Sequence, residues 1–432
     1  MTFTKHKVIN NLQVVNLNCA GIDIHRDTAN VTLLSQDNNG DSVSEYLCFN
    51  TDRKSLLKMK EWLLENNCLV VGIESTGKYW IPVHNVLEDS ITVKLYNARN
   101  VKNIPVKKTD KSDSQWLATI TRYNLARASF IPEKQIRDAR TLSRNRTATV
   151  QARTMMRQVV HGVLQSAGIK LSSNMSDIFG KSGTNLLDLI TYNKPYTEAT
   201  IKKLVYGPLK DKSKLLVDAM EGDIRPAHRY TLKHDMAIMN TLTTQKEDFE
   251  RELEVLLLNS ESHRQTFERL QEIPGFAKLS ALLLLAEIGF DLDTFPTCRA
   301  FCSWAGVCPG NHESAGKKLH GKIQQKKNNV KTLLIEIAWV SVRMKETYYA
   351  AKFMSMRARK GPNVAIFIIA HKLAKAIFQV VKREQQYDEL GFDHVVQDNI
   401  SRSKRYVVKA IQKLGKEAVL EMIAQQEIAP II

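Results

Sequence analysis

The chain has 432 residues, which is enough for roughly two to three domains that each bury their own core. Its 62 Lys and Arg residues outnumber its 45 Asp and Glu residues, so the formal net charge is +17. This excess favours a polyanionic partner, either nucleic acid or an anionic membrane surface. The apolar run at 279–290 is about half the length of a membrane-spanning helix, and the first residues lack the apolar core of a signal peptide. We therefore expect a cytoplasmic protein that binds nucleic acid rather than a membrane.

The six cysteines are too sparse for a disulfide framework. Cys298, Cys302, Cys308 and His312 form the one grouping that resembles a zinc set, but it lacks the paired C-x2-C knuckle of such sites. Cys302 lies in an apolar run and is more easily interpreted as a small buried residue. The pattern disfavours zinc.

Residues 14–130 alternate short strand-like runs with helical ones. The strand-like runs are 14–24, 29–35, 44–50, 68–74 and 92–98. Residues 52–67 have helical periodicity, with Asp52 able to cap the helix. A β-hairpin followed by βαβ units predicts an α/β domain with a mixed sheet and helices packed on it.

The stretch VVGIESTGKYW (70–80) is close to a phosphate-binding loop, because Gly72 is followed by Gly77 and Lys78. Tyr79 stands where that motif needs a hydroxyl short enough to reach magnesium. Glu74 would repel phosphate oxygens from inside the loop. The stretch is therefore better explained by a role for Glu74 itself.

Residues 131–271 predict a helical hairpin or coiled coil. A long helix opened by Pro132 is rich in arginine and has no acid between Asp138 and Asp177, and its expected partner at 230–273 is rich in glutamate. Residues 168–228 read as a small helical insertion. The arginines form either a solvated face or a nucleic-acid surface.

A mostly helical domain is expected at 272–385, followed by a tail at 386–432. A Pro-Gly turn before the apolar run at 279–290 resembles a helix-hairpin-helix, whose backbone N–H groups can contact phosphate. Between Glu313 and Glu336 the chain has six lysines and no acid. Such a loop suits a phosphate backbone. The nucleic-acid-binding residues predicted from both regions are Arg140, Arg144, Arg153, Arg157, Lys317, Lys318, Lys322, Lys326 and Lys327.

Four carboxylates stand at strand ends and at a helix start. Asp23 lies in the first strand, Glu74 ends a buried strand, and Asp110 and Asp113 are three apart at a helix start, so both project from one face. Hard divalent metals bind such oxygen ligands, and two ions can clamp the attacking and leaving oxygens of a phosphodiester. Taken singly, each acid has a simpler explanation as a turn, cap or solvated strand end.

These motifs resemble a known family. GIDIHRD, GIESTGKYW and KTDKSDSQWLA are similar to the DEDD-type, RuvC/ribonuclease H-like domain of insertion sequence family 110 transposases. The segments IPGF, LLAEIG, WAGVCP and ESAGK are similar to their C-terminal transposase domain, so the resemblance covers roughly residues 15 to 385. It implies that Asp23, Glu74, Asp110 and Asp113 bind Mg²⁺ or Mn²⁺.

The resemblance also implies that Ser314 is a nucleophile that forms a transient 5′-phosphoserine bond with DNA. Ala315 separates Ser314 from the glycine that usually follows it, and Asn328 stands where the family usually has glycine. The partners implied are donor and target DNA, a noncoding bridge RNA that guides the enzyme, and further copies of the chain in a dimer to tetramer. Two alternatives are a Holliday-junction-type nuclease that uses the carboxylates alone and a non-catalytic nucleic-acid-binding protein.

Overall fold

The computed structural model describes residues 13–36, 42–75, 77–97, 110–308, 312–314, 317–319, 328–417 and 421. The chain divides into two compact units, Met1–Ile131 and Pro132–Ile432.

The first unit is built on a five-stranded mixed sheet. Its strands are β1 (Cys19–Ile24), β2 (Thr28–Gln36), β3 (Ser42–Asn50), β4 (Val70–Glu74) and β5 (Thr92–Tyr96), and its helices are α1 (Arg53–Glu65), α2 (Trp80–Leu87) and α3 (Asp110–Tyr123). The strand order is β3-β2-β1-β4-β5, with β1 antiparallel to β2 and parallel to β4. The mixed α/β sheet expected from the sequence is confirmed.

Local sequence explains where these elements begin and end. The Asp52 carboxylate accepts a hydrogen bond from the Ser55 backbone N–H at 3.0 Å, so it caps α1 as expected. The turn between β1 and β2 closes through the His25 N–H, which donates to the Thr28 carbonyl at 2.8 Å. Leu56, on the buried face of α1, packs in the core beneath the sheet. The Asp52 cap and the apolar periodicity together determine where α1 begins and which of its faces is buried.

Helix α3 lies directly against the backbone of the central strands, because two strand residues are glycines. A Cβ on Gly21 would lie 2.1 Å from the Ala118 nitrogen. A Cβ on Gly72 would lie 2.0 Å from the Thr121 hydroxyl oxygen. A side chain at either position would push the helix off the sheet, so glycine sets this close approach.

The contacts along β1 give the direction of α3. The Asn16 side-chain amide donates to the Thr121 carbonyl at 2.6 Å, near the end of the helix. Further along the chain, Thr32, which pairs with Gly21, shares a 2.7 Å hydrogen bond with Ser114, in the second turn of the helix. Helix α3 is therefore antiparallel to β1, and its N-terminus lies at the carboxyl end of β1 and of the parallel strand β4.

The second unit is mostly helical. Its helices are α4 (Lys134–Ser166), α5 (Leu171–Asn174), α6 (Lys181–Thr191), α7 (Glu198–Leu204), α8 (Ser213–Met220), α9 (Pro226–Leu257), α10 (Glu261–Gln271), α11 (Lys278–Ile288), α12 (Cys298–Trp304), α13 (Asn329–Ser341), α14 (Tyr348–Lys360), α15 (Pro362–Lys382) and α16 (Gly391–Leu414). A 3₁₀ turn (Gly207–Lys212) and two short strands, β6 (His312–Ser314) and β7 (Lys317–Leu319), complete the described elements.

The long helices α4 and α9 pack against each other, as the hairpin prediction requires. One end contributes Ile136 and Leu253 to the larger core of this unit. The opposite end contributes Val160 and Leu232 to a smaller core shared with the insertion. The two ends of the hairpin are thus fixed by separate cores.

The helix predicted over 230–273 is in fact two helices. Helix α9 ends at Leu257, and α10 begins after Ser260, whose hydroxyl accepts a hydrogen bond from the His263 N–H at 3.3 Å. Asn and Ser have low helix propensity, and serine is a preferred N-cap. The polar Asn259-Ser260 pair therefore interrupts a periodicity that the flanking residues continue.

Helix α15 is the one helix among the described residues that is long and apolar enough to cross a membrane by length and composition. Its apolar side chains, including Ile369, Leu373 and Phe378, lie in the larger core of the second unit. Lys372 and Lys375 interrupt its apolar sequence. The helix is therefore accounted for as the central helix of a protein core.

Candidate functional site

Two of the predicted acids lie at the same level on neighbouring strands. Ile22 on β1 pairs in parallel with Ile73 on β4, so the next residues, Asp23 and Glu74, are level at the carboxyl ends of both strands. Each acid follows by two residues a glycine that packs against α3, and side chains two apart on a strand share a face. Both carboxylates therefore stand on the α3 side of the sheet, where both are half-buried.

Helix α3 brings the other two predicted acids to the same end of the sheet. Ser114 is level with Gly21, and the helix runs antiparallel to β1, so Asp113 and the first helical residue, Asp110, lie toward Asp23 and Glu74. Asp113 is half-buried. The side chain of Asp110 lies outside the described part of the structure. The topology thus gathers the backbone positions of all four acids at one sheet edge.

Several polar residues surround Asp23 that sequence reasoning did not select. The His25 Nε2 atom is 3.2 Å from the Asp23 Oδ2 atom. Asn30, a buried residue of β2, pairs with Asp23 on β1. Its side chain accepts a hydrogen bond from the Tyr46 hydroxyl at 2.9 Å. The Lys111 ammonium lies 5.6 Å from the centre of the Tyr46 ring. The polar alternation of β2 and β3 was the available signal, because an asparagine in a buried strand needs a partner.

Whether these residues suit a metal depends on donor chemistry and on spacing. Carboxylate oxygens on adjacent strands are the ligands that Mg²⁺ and Mn²⁺ prefer, so the donor chemistry of Asp23 and Glu74 fits. Among the described residues, no three His, Cys, Asp or Glu side chains are grouped closely enough to hold a metal ion. The described geometry therefore offers part of a ligand set.

The structure rules out the phosphate-loop interpretation of residues 70–80. Gly72 lies inside β4, paired with Gly21 and Lys94, whereas a phosphate loop begins after its strand has ended. Gly77 has φ +57°, which serves the turn into α2. Glu74 is the last residue of this strand and stands half-buried at its carboxyl end.

Ser314 is the last residue of β6. It pairs with Lys317, the first residue of β7, and Glu313 pairs with Lys318. The remaining predicted lysines of this region, Lys322, Lys326 and Lys327, lie outside the described residues, as do the side chains of both strands. The backbone places Ser314 at the end of β6, paired with the first residue of an antiparallel strand.

The first two arginines of the predicted nucleic-acid surface contact an acid of the protein itself. Arg140 and Arg144, one turn apart on α4, both contact Glu287. Further along the helix, Arg153 and Arg157 are half-buried, and the Arg157 guanidinium stacks 5.0 Å from the centre of the Phe179 ring. Nucleic-acid contact by these four residues remains a prediction. Glu287, the acid that contacts two of them, was the missed signal, because a carboxylate buried in an apolar helix needs a cation beside it.

The cysteine grouping assembles differently from the zinc set considered above. The Cys298 and Cys302 sulfurs are 4.0 Å apart, and the Cys308 sulfur lies 3.6 Å from His371 Nδ1, on α15. Burial raises the pKa of the Cys302 and Cys308 thiols and lowers that of His371. The side chain of His312, the fourth member of that set, lies outside the described part of the structure.

Two protein-family models match the chain. The DEDD transposase model for IS110 elements, described as "Transposase", matches residues 20–169. The model described as "Transposase IS116/IS110/IS902 family" matches residues 267–354. The first match contains Asp23, Glu74, Asp110 and Asp113, and the second contains Ser314.

The curated relatives that match are also transposases. The chain is 24% identical over 331 residues to the transposase for insertion sequence element IS1111A of Coxiella burnetii, which covers 75% of this chain and 80% of the relative. It is 24% identical over 331 residues to a probable family 20 transposase of Pseudomonas aeruginosa, and the match covers 74% of this chain and 86% of the relative. A shorter match, 30% identical over 144 residues, is to the transposase for insertion sequence element IS1328 of Yersinia enterocolitica. It covers 32% of this chain and 41% of the relative.

Proposed function

Because the chain belongs to the IS110 family of transposases, we propose that it cuts and exchanges DNA strands through a covalent bond between Ser314 and a DNA 5′ phosphate. The observation that carries this proposal is the level placement of Asp23 and Glu74 at one sheet edge, with the start of α3 facing them. That arrangement occurs in a chain whose second matched segment contains Ser314.

The reaction that fits Ser314 is a transesterification. The Ser314 Oγ atom attacks the phosphorus, the bond from phosphorus to the 3′ oxygen breaks, and the serine proton leaves to a base or solvent while the departing 3′ oxygen gains one. The phosphoserine bond keeps the energy of the phosphodiester, so a second 3′ hydroxyl can displace the serine and rejoin the strands. The reaction needs no ATP.

The acidic site stabilises the charge that develops during this exchange. Asp23, Glu74, Asp110 and Asp113 would hold Mg²⁺ or Mn²⁺, and the bound ion would supply positive charge beside the phosphate and the departing oxygen. The chain's own contribution is to hold the strand acids at one level and to position α3 through its contact with Gly21 and Gly72.

The proposed partners are donor and target DNA, a noncoding guide RNA and further copies of the chain. The net charge of +17 supports a polyanionic partner. Basic side chains on α4 and around the β6–β7 hairpin would contact the phosphate backbone, while base pairing by the RNA would supply sequence specificity. We expect the enzyme to act in the cytoplasm, as a dimer to tetramer.

The test is a denaturing gel for protein covalently attached to labelled DNA. The mixture contains the junction DNA of the element, its flanking RNA and Mg²⁺, with wild-type protein compared against Ser314→Ala and Asp23→Asn. We expect an adduct in the wild type that both substitutions remove. Ser303→Ala, which alters an exposed serine on α12, is the matched control and should leave the adduct intact.

Cleavage without an adduct, unaffected by Ser314→Ala, would overturn the serine mechanism. It would instead establish a metal-dependent nuclease of the Holliday-junction-resolving type. DNA binding without cleavage under any metal would establish a non-catalytic binding protein.

A further inference from the structure

Glu287 is a buried acid in the most apolar helix of its region. It lies in the last turn of α11, whose other residues from Ala281 onward are all buried and apolar. Its exposed fraction is 5%. An ionised carboxylate at such a depth is stable only where cations and hydrogen-bond donors surround it.

Two arginines of the long helix α4 supply the cations. Arg144 donates from Nε to Glu287 Oε1 at 3.2 Å and from Nη2 to Oε2 at 3.1 Å, a two-point contact. The Arg140 Nε atom lies 3.7 Å from Oε2, and its Nη2 donates to the Glu287 carbonyl. Burial lowers the pKa of Arg140, and the Glu287 carboxylate opposes that shift. The acid therefore joins α11 to α4.

A third contact reaches the helix that follows the serine segment, defined as residues 309–327. The side-chain amide of Asn329, the first residue of α13, donates to Glu287 Oε1 at 2.8 Å. The neighbouring Asn328 caps α13, because its Oδ1 accepts from the Val330 N–H at 2.9 Å. Its Nδ2 donates to the Trp304 carbonyl at 2.8 Å, at the end of α12. Asn328 and Asn329, which directly follow the serine segment and form its base, are thus held to the end of α12 and to Glu287.

From these contacts we infer that Glu287 and Asn329 are positioning residues for the Ser314 reaction. Asn329 ties the base of the serine segment to the buried carboxylate, and the carboxylate ties that base to α4. The inference rests on the proposed role of Ser314. A nucleophile must be held close to its attack geometry, and small displacements lower the rate far more than they lower binding.

The sharpest test replaces Asn329 by alanine, because this change removes the contact with α13 and leaves the pair of Glu287 with its arginines intact. Alanine is well tolerated in the first turn of a helix. In single-turnover assays on the junction DNA with flanking RNA and Mg²⁺, we expect the rate of adduct formation to fall at least tenfold. The Kd for DNA, measured by fluorescence anisotropy, should stay within twofold.

Asn145→Ala is the matched control. Asn145 is an exposed asparagine on α4 whose amide donates to the Thr141 carbonyl in its own helix. We expect its adduct rate and its Kd to equal those of the wild type. An Asn329→Ala protein with a wild-type adduct rate, or with a weakened Kd and an unchanged maximal rate, would overturn the positioning role.

Amide hydrogen exchange separates this inference from the proposed function. In Asn329→Ala we expect faster exchange at the start of α13, over residues 330–334, and no such change in Asn145→Ala. If wild-type protein forms no adduct that depends on Ser314, the proposed function fails. Unchanged exchange in Asn329→Ala would then overturn the contact itself, whereas faster exchange would sustain it as an anchor for the serine segment.

Discussion

The sheet edge and the Glu287 cluster are both acidic sites in a basic protein, but the acids in them are surrounded differently. At the sheet edge, Asp23 and Glu74 stand level with each other on adjacent strands, and a histidine, His25, lies 3.2 Å from the Asp23 carboxylate. In the helical unit, Glu287 is enclosed by two arginines and an asparagine. A carboxylate enclosed by cations is already neutralised and serves the fold, whereas neighbouring carboxylates favour an added cation.

From this difference we expect an acid's neighbours to predict its role better than its burial does. Glu287 is more deeply buried than Asp23, yet its contacts account for its charge within the protein. The strand acids are half-buried at a sheet end, a position open to ligands. The comparison yields predictions about stability that need no DNA.

The largest expected effect follows loss of the Glu287 charge. Glu287→Gln leaves Arg140 and Arg144 without their counter-charge, and we expect the free energy of unfolding to fall by about 3–5 kcal/mol. Urea denaturation, followed at the unfolding transition of the second unit, measures this loss of stability. The matched control is Glu250→Gln on α9, which removes the partner of Arg146 on the same helix α4 and should cost about 1 kcal/mol. Equal losses in both variants would contradict a special role for the Glu287 cluster.

A smaller loss is expected at the contact that sets how closely α3 approaches the strands that carry Asp23 and Glu74. Gly21→Ala forces a Cβ against the α3 backbone, and we expect about 1–3 kcal/mol of destabilisation. Gly162→Ala is the control, because no atom lies within 4 Å of the added Cβ on α4. It should stabilise the protein by about 0.5–1 kcal/mol, since alanine favours the helix. Similar responses at both glycines would show that α3 does not rest on the strand backbone.

The smallest expected effect is stabilisation by metal. Mg²⁺ at about ten times its Kd should raise the free energy of unfolding of wild-type protein by about 1.4 kcal/mol, because it binds the folded acids. Glu74→Gln and Asp23→Asn should remove that gain in calorimetry with and without EDTA. Asp27→Asn, an exposed acid in the same hairpin, is the control and should keep it. A gain that survives Glu74→Gln would place the metal elsewhere.

Much of the first unit could be predicted from sequence because its signals are local. The alternation of apolar and polar residues predicted the strands, Asp52 predicted the cap of α1, and the end of a buried strand predicted the position of Glu74. The close packing of α3 on Gly21 could not be predicted, since it depends on a residue 97 positions further along the chain, Ala118 (118 − 21). A glycine inside a strand was the only local sign of it.

In the second unit the sequence predicted the helices and the packing of α4 against α9, but not the acid that contacts the arginines of α4. The arginines of α4 read as a surface because their acid, Glu287, is 143 positions from Arg144. Periodicity reports which face of a helix is apolar, but it does not name the element that packs there. The break at Asn259-Ser260 was missed for a related reason, because the apolar spacing continues across it.

The hydrogen bond between the Asn328 amide and the Trp304 carbonyl also joins the start of α13 to the end of α12 across 24 positions of the sequence. The entropy of closing a chain between two fixed points grows only slowly with its length, by about 0.6 kcal/mol for each doubling. Insertions or deletions between these two residues should therefore cost the two helices little stability.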